Sequence, residues 1–231
     1  IKGFLGEEKF KKGISHFLDK YKFSCAKSDD YWISIEEATG EPIAEMMKSW
    51  VYQPGFPLLV TKRENSKLTI SQRRFTYLPN NSDQVWIIPL TITFYKGNDL
   101  LKVERQVMKD KEITIPIPED VTAFKLNVDQ TGFYRVKYDN NNLKALGQLV
   151  KDKVLSSKDR YGLENDMYAL LRSGDYSVDK FLDFLSYYSN ETEYLPLVSI
   201  AHDLLHAYLV IDSRRDQMSE LGLKIFEPVL D

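Results

Sequence analysis

Two histidines four residues apart, with a carboxylate between them, are the side chains of this sequence that come nearest to a catalytic centre. His202, Asp203 and His206 stand in the stretch HDLLH. On a helix, positions four apart lie on the same face, so both imidazoles could bind one metal ion. The stretch differs from the His-Glu-x-x-His motif of zinc peptidases by one methylene group, because aspartate replaces glutamate. The chemistry it suggests is hydrolysis by a metal-activated water.

A hydrolytic zinc site also needs a third protein ligand and a general base. In one class of zinc peptidases the third ligand is a glutamate nineteen residues after the second histidine, where this chain has Ile225. In another class it lies six residues on, where Asp212 stands, but Leu209 replaces the glycine that this class requires. Asp203 is shorter than glutamate and would hold its carboxylate too far back to activate the water. We predict that the histidines are ordinary helix residues, and we name no catalytic, cofactor-binding or metal-binding residue in this chain.

The other reactive side chains give weaker signals. Cys25 is the single cysteine, so it has no internal disulfide partner and is expected to be a buried or idle thiol. His16 is alone on its predicted helix and should be exposed or hydrogen-bonded. The acidic stretches GEEKF, IEEATGE and SNETEYL are expected at helix starts or on exposed faces. The sequence has no phosphate-binding glycine loop and no Gly-x-Ser-x-Gly elbow.

The composition is that of an ordinary globular protein with two or three domains. The chain has 231 residues, of which 43% are hydrophobic and 28% charged, and its formal net charge is -3. Such a balance gives no electrostatic reason to expect nucleic acid or an anionic membrane as a partner. We see no apolar run of membrane-spanning length and no signal peptide, and we expect a cytoplasmic protein.

Helical periodicity dominates residues 1–54. Ser28 or Asp29 should cap the second helix, Gly40 should end it, and Pro42 should lie in the first turn of the third. The apolar positions expected to face inward are Phe10, Ile14, Phe17, Leu18, Tyr21, Trp32, Ile35, Ala38, Ile43, Met46, Met47 and Trp50.

Residues 55–139 switch to a period of two, which predicts strands. The segments KLTISQ, VWIIPLTITFY, LLKVERQV, EITIPI, AFKLNV and FYRVKY follow at short intervals, with turns at YLPNNSD, YKGND and DQTG. About seven short strands spaced in this way are typical of an antiparallel β-sandwich. Pro89, inside the longest apolar run, indicates an edge strand or a bulge.

The helical period returns in residues 140–231. The first helix is indicated by one apolar stripe, and the second is capped near Ser157 and ended by Gly174. Three further helices follow. The short polar connections between the helices predict a helical bundle or solenoid. The apolar residues of the first and third helices that should face inward are Leu143, Leu146, Leu149, Val150, Val178, Phe181, Leu182 and Leu185.

The residues at the joints of this arrangement resemble the aminopeptidase N-like zinc aminopeptidases, a gluzincin-type family. DDYWISIEEATGEPIAEMMKSWVYQPGFPLLV is similar to the end of that family's catalytic domain. VWIIPLTI and NVDQTGFYRVKYD look like its sandwich domain, and SSKDRYGLENDMYALLRSG followed by ETEYLPL looks like the start of its C-terminal helical domain. The resemblance runs from about Leu5 to Pro196. The chain is also similar to the archaeal members of this family that interact with the tricorn protease.

The resemblance implies a multidomain α and β fold. Residues 1–54 would be the helical tail of a thermolysin-like catalytic domain, residues 55–139 an antiparallel β-sandwich, and residues 140–231 the first helices of a HEAT/armadillo-like array. The family's Gly-x-Met-x-Asn loop, His-Glu-x-x-His helix, downstream glutamate and catalytic tyrosine are all absent and are expected upstream of Ile1.

The function implied is that of a structural, non-catalytic segment of a zinc-dependent aminopeptidase, which removes N-terminal residues from peptides. Zinc would belong to the longer protein, called the parent below, and none would be bound by this segment. Its partners would be the remainder of the parent and peptides in the parent's cavity. The start at Ile1 and the final apolar helical pattern lead us to expect an excised segment, with apolar surface exposed on residues 1–50.

Two alternatives belong to other functional classes. One is a stand-alone binding module that uses the sandwich and the helices to hold a partner. The other is an independent metal hydrolase built on HDLLH.

Overall fold

The computed structural model describes residues 1–79 and 82–230. Four helices come first: α1 Lys2–Leu5, α2 Glu7–Tyr21, α3 Ser28–Thr39 and α4 Ile43–Val51. Ile35 and Ile43 form the buried centre of this group, and α2 crosses α3 at Gly13, where a Cβ would lie 3.0 Å from Ile35. Leu18 was wrongly expected to face inward; it is 60% exposed because it lies on the solvent side of α2. Pro42 is the N-cap of α4 and does not lie in its first turn.

The two ends of α3 differ in how well they match the sequence prediction. The helix is capped one residue earlier than predicted, at Lys27, whose backbone N–H donates to the Asp30 carboxylate over 2.8 Å. Ser28 is therefore the first helical residue and not the cap. Gly40 ends the helix with φ 71°, the left-handed conformation that glycine adopts without a Cβ penalty, as predicted.

Seven strands form two sheets in the described part of the chain: β1 Pro57–Glu64, β2 Lys67–Arg74, β3 Ile88–Lys96, β4 Asp99–Met108, β5 Glu112–Pro116, β6 Ala123–Leu126 and β7 Arg135–Lys137. Their orders are β5-β2-β1-β7 and β4-β3-β6. The prediction of an antiparallel sandwich is wrong for one pair, since β1 and β7 are parallel, with Leu58 opposite Arg135. Two neighbouring parallel strands need a long connection between them. Between β1 and β7 the chain forms β3, β4 and β6, the three strands of the other sheet.

The buried positions predicted for the longest apolar run, which contains β3, are confirmed. The five alternating side chains that are at most 1% exposed are Trp86, Ile88, Leu90, Ile92 and Phe94. Pro89 does not mark an edge strand, because β3 is the central strand of its sheet. The proline is tolerated because β6 pairs only with residues from Ile92 to Tyr95 and does not extend beside it. The bulge lies elsewhere, between Phe94 and Tyr95. The predicted YLPNNSD turn includes Asn80 and Asn81, which lie outside the described residues.

The remaining helices are α5 Asn140–Lys151, α6 Ser157–Arg172, α7 Val178–Leu185, α8 Tyr194–Val210 and α9 Arg215–Leu230. The side chains of Asp139, Ser156 and Ser177 each accept a hydrogen bond from a first-turn N–H, capping α5, α6 and α7. Within residues 1–79 and 82–230 no single helix is long and apolar enough to span a membrane. One bent pair, Tyr194–Val210 with Asp212–Val229, passes on length and composition only when taken together.

A single hydrophobic core extends from the sandwich into these helices. Tyr138, just after β7, is hydrogen-bonded through its hydroxyl to the backbone N–H of Leu126, and its own carbonyl accepts from the Tyr176 hydroxyl over 2.9 Å. Trp50 connects the first four helices to the strands, because its indole N–H donates to the carbonyl of Ile87 over 2.9 Å. The buried stripe of α5, including Leu146, packs into the shared core as predicted.

Candidate functional site

The two histidines of HDLLH lie on the outer part of α8. Nδ1 of His202 is 2.8 Å from the Asp203 carboxylate, and the His202 side chain is 78% exposed. Nδ1 of His206 is hydrogen-bonded to the hydroxyl of Tyr168 on α6. Both rings line a crevice of about 230 Å³ between α6, α8 and β7.

The two positions where zinc peptidases carry a third ligand have other roles here. Ile225 is fully buried in the hydrophobic core, and Asp212 is exposed and pairs with Arg215 over 2.8 Å. Across residues 1–79 and 82–230, no group of three or more His, Cys, Asp or Glu side chains could hold a metal ion. The interpretation of His202 and His206 as ordinary helix residues stays a prediction.

The other sequence candidates are placed as follows. His16 lies on an exposed face, with its Nε2 3.0 Å from the Glu37 carboxylate, as predicted. Cys25 is exposed, so the buried alternative is wrong for it. The expectation that the SNETEYL carboxylates lie at the surface is also wrong for Glu191, which is 2% exposed.

The charged groups that sequence reasoning missed are concentrated around α6. Four acidic or basic side chains of this helix point away from solvent, and each has a partner on another element. The pairs are Asp159 with Lys125, Arg160 with Glu191, Asp166 with Arg135, and Glu164 with Asp203. These contacts fix α6 against the sandwich on one side and against α8 and its connection on the other.

Lys125 lies inside the protein at the end of β6. Its ammonium is 2.7 Å from the Asp159 carboxylate and also donates to the carbonyls of Leu126 and Asn127. Asp159 in turn accepts from the backbone N–H of Asp129 over 2.8 Å. Burial lowers the pKa of Lys125, and the Asp159 carboxylate opposes that shift. The pair ties the loop between β6 and β7 to the first turn of α6.

Arg160 and Glu191 form a bidentate ion pair that is almost wholly buried. The guanidinium Nε and Nη2 donate to the two carboxylate oxygens over 2.5 and 2.8 Å. Arg160 Nη1 also donates to the carbonyl of Leu155, and Glu191 accepts from the backbone N–H groups of Thr192 and Glu193. Burial alone raises the pKa of Glu191, but these donors outweigh it, so the pKa of this carboxyl lies below its ordinary value.

Arg135 joins β7 to the middle of α6. Its Nη1 donates to the Asp166 carboxylate over 3.0 Å. It also donates to the backbone carbonyl and to the side-chain oxygen of Asn165. The other Asp166 oxygen accepts from the backbone N–H of Val136 over 2.9 Å. Burial raises the pKa of Asp166 to about 6, although the guanidinium of Arg135 opposes the shift. The contact anchors the parallel strand β7 to the helix that covers it.

An apolar cleft of about 460 Å³ lies where the first four helices meet the loop before β7. Its aromatic and methionine walls include Trp32, Met47, Trp50 and Phe133, and Phe133 is 72% exposed. This composition suits contact with apolar side chains.

The described residues form a mixed α and β protein with two sheets, in which buried ion pairs join α6 to its neighbours. Family comparison agrees with this class. The model of the ERAP1-like C-terminal domain matches residues 123–231, and the peptidase family M1 domain matches residues 1–50.

Individual relatives match the chain over nearly its whole length. The tricorn protease-interacting factor F2 of Thermoplasma volcanium is 32% identical over 97% of this chain and 28% of its own length. A leucyl aminopeptidase of Saccharolobus solfataricus is 32% identical over 90% of this chain and 25% of its own. The human endoplasmic reticulum aminopeptidase 2 is 31% identical over 100% of this chain and 28% of its own. The chain belongs to the M1 aminopeptidase family, and it spans about a quarter of the length of these relatives.

Proposed function

We propose that this chain is a structural, non-catalytic segment of a zinc-dependent aminopeptidase, which removes N-terminal residues from peptides. The observation that carries the proposal is the match to proteins named as aminopeptidases over at least 90% of the chain. The family's metal chemistry is zinc activation of a water molecule. The described residues do not offer that metal a complete donor set, because no third ligand accompanies HDLLH within residues 1–79 and 82–230 and Ile225 is a core residue. In this proposal zinc belongs to the parent, and this segment binds none.

The three parts of the chain serve that function in different ways. Residues 1–54 complete the wall of a thermolysin-like catalytic domain, residues 55–139 form a rigid sandwich spacer, and residues 140–231 begin a HEAT/armadillo-like helical array that closes part of the peptide cavity. The core shared by the sandwich and the helices supports rigidity. The buried ion pairs of α6 support it as well, because each of them links two elements.

The remainder of the parent is the partner that we propose for the apolar surface of the first helices. Phe23, Val51 and Tyr52 are at least 50% exposed, and the cleft beside Trp32 and Trp50 is apolar. An isolated chain should bind a hydrophobic dye, and the dye signal should fall when the parent's catalytic domain is added. A monodisperse chain that binds no dye would count against this partner. We propose a cytoplasmic location for the parent.

The experiment that tests the proposed function is to read the gene upstream of Ile1. We expect a His-Glu-x-x-His motif followed by a distant glutamate, and the full-length product should release N-terminal residues from peptides in a zinc-dependent reaction. An upstream sequence without these residues would overturn the proposal. It would favour the stand-alone binding module instead, for which the apolar cleft is the binding surface.

A further inference from the structure

Two carboxyl groups meet inside the protein where α8 packs on α6. Glu164 is fully buried and Asp203 is 5% exposed, and the two carboxyl groups lie close enough for the charge of Asp203 to raise the pKa of Glu164. The outer oxygen of Glu164 accepts from the Ser199 hydroxyl over 2.5 Å, and that of Asp203 contacts Nδ1 of His202. The two remaining oxygens, Glu164 Oε1 and Asp203 Oδ2, are buried and have no donor among the described residues.

Two ionised carboxylates cannot satisfy each other, because both are acceptors and both are negative. A single proton resolves the contact by making one carboxyl a donor to the other. Leaving both carboxyl groups ionised, each with an unpaired oxygen in this interior, would destabilise the folded state.

The surroundings do not supply the missing charge. Arg135 is the cation that acts on Glu164, but its guanidinium is already bonded to Asp166. Arg172 of α6 lines the same crevice as Asp203, and its guanidinium lies over the rings of Tyr77 and Tyr168. The other titratable groups around the pair are Tyr188 after α7, and His202 and His206 of α8.

We propose that Glu164 and Asp203 form a proton-binding site, in which one shared proton holds α8 against α6. Release of this proton to solvent converts a carboxyl–carboxylate pair of charge -1 into two carboxylates of charge -2, and their repulsion loosens α8 from α6. His202 provides the exit, since its exposed ring contacts Asp203 directly. The HDLLH stretch is thus part of a pH-sensitive contact between helices.

The direction of the pH effect follows from where the proton is bound. Burial, and then the Asp203 charge, raise the pKa of Glu164 well above its ordinary value, so between the unfolded and the folded pKa the folded state holds a proton that the unfolded state has lost. The stabilisation is fully present below the unfolded pKa of glutamate and is lost as pH rises through the folded pKa. Between these two pKa values the unfolding equilibrium constant should rise about tenfold per pH unit from this site alone.

Glu164→Gln tests the site, because the amide donates to Asp203 permanently and keeps the charge of the protonated pair. Urea unfolding of the 231-residue chain and its variants should be followed at pH 6, 7 and 8. We expect the unfolding constant of Glu164→Gln to lose the tenfold rise per pH unit that the unmodified chain shows. Glu220→Gln is the same substitution at an exposed position of α9, and this variant should retain the rise.

Asp203→Asn is the reciprocal variant and keeps the test valid if Glu164→Gln folds poorly. Infrared spectroscopy adds a readout that stability does not, since a protonated carboxyl has its own C=O band. That band should be present at pH 7 in the unmodified chain and in Glu220→Gln, and absent from Glu164→Gln and Asp203→Asn. The same pH slope in all variants, or no protonated carboxyl at pH 7, would overturn the proposal.

Discussion

Removal of the Glu191 carboxylate should be among the most damaging single changes in the helical part of this chain. The side chains of Arg160 and Glu191 are 6% and 1% exposed, and Glu191 accepts four hydrogen bonds. Glu191→Ala leaves the guanidinium buried without its counter-ion. Breaking such a pair on one side costs about 3–5 kcal/mol. A typical domain has a total stability of about 5–15 kcal/mol, so the loss would be a large part of the whole.

Urea denaturation followed by far-UV circular dichroism measures this loss directly. We expect the unfolding equilibrium constant to rise by about 2 to 3.5 orders of magnitude, because each 1.4 kcal/mol corresponds to about a factor of ten. Glu193→Ala is the matched control, because Glu193 is exposed two residues away and should change stability by less than about 0.5 kcal/mol. Replacing both partners, as in Arg160→Met with Glu191→Leu, should cost less than Glu191→Ala alone.

The pH dependence of this pair has a defined sign. The pKa of Glu191 lies below its ordinary value, so its contribution is present above the unfolded pKa of glutamate and is lost as pH falls through the folded pKa. The stability difference between the unmodified chain and Glu191→Gln should therefore shrink on acidification. An effect of Glu191→Ala no larger than that of Glu193→Ala would refute the reasoning that this ion pair supports the fold.

Three further substitutions test other parts of the structure. Gly147→Ala should destabilise the chain by about 1–3 kcal/mol, because the new Cβ would lie 2.4 Å from the ring of Tyr187, which packs against the core; thermal unfolding measures the loss. Ser156→Ala should cost about 1 kcal/mol in urea unfolding, since it removes the side-chain cap of α6. Replacing both His202 and His206 by alanine should leave the parent's aminopeptidase activity unchanged apart from any effect of stability. A larger loss in an aminoacyl chromogenic assay would contradict that interpretation.

The elements most accurately predicted are those whose signal is local. The alternation around Ile92 and the stripe of Leu146 report which face is buried, and Gly40 ends its helix through its own backbone freedom. Strand β1 was not predicted because Leu58 and Leu59 belong to a continuous apolar run, which does not alternate. Its parallel pairing with β7 depends on residues more than seventy positions away, so no local pattern reports it.

The ion pairs of α6 were missed for the same physical reason. The sequence shows charges at Asp159, Arg160 and Glu164, which on an isolated helix read as solvated. Their burial depends on Lys125 and Glu191, which the fold brings in from a strand and from a later connection. A signal was present, since Arg160 and Glu164 share a face with the apolar Leu163 and Met167 at helical spacing. HDLLH is the opposite case, because its spacing resembles a metal motif although Ile225 and Leu209 stand where that motif needs other residues.

The most direct test of the proposed role is the zinc content and peptidase activity of the purified 231-residue chain. Metal analysis and an aminoacyl chromogenic substrate should be applied to the same sample. We predict no stoichiometric zinc and no turnover, because no third metal ligand accompanies the two helical histidines in the part of the chain that the structure describes. Zinc-dependent turnover by this chain alone would contradict the central claim that it is a structural segment of an M1 aminopeptidase.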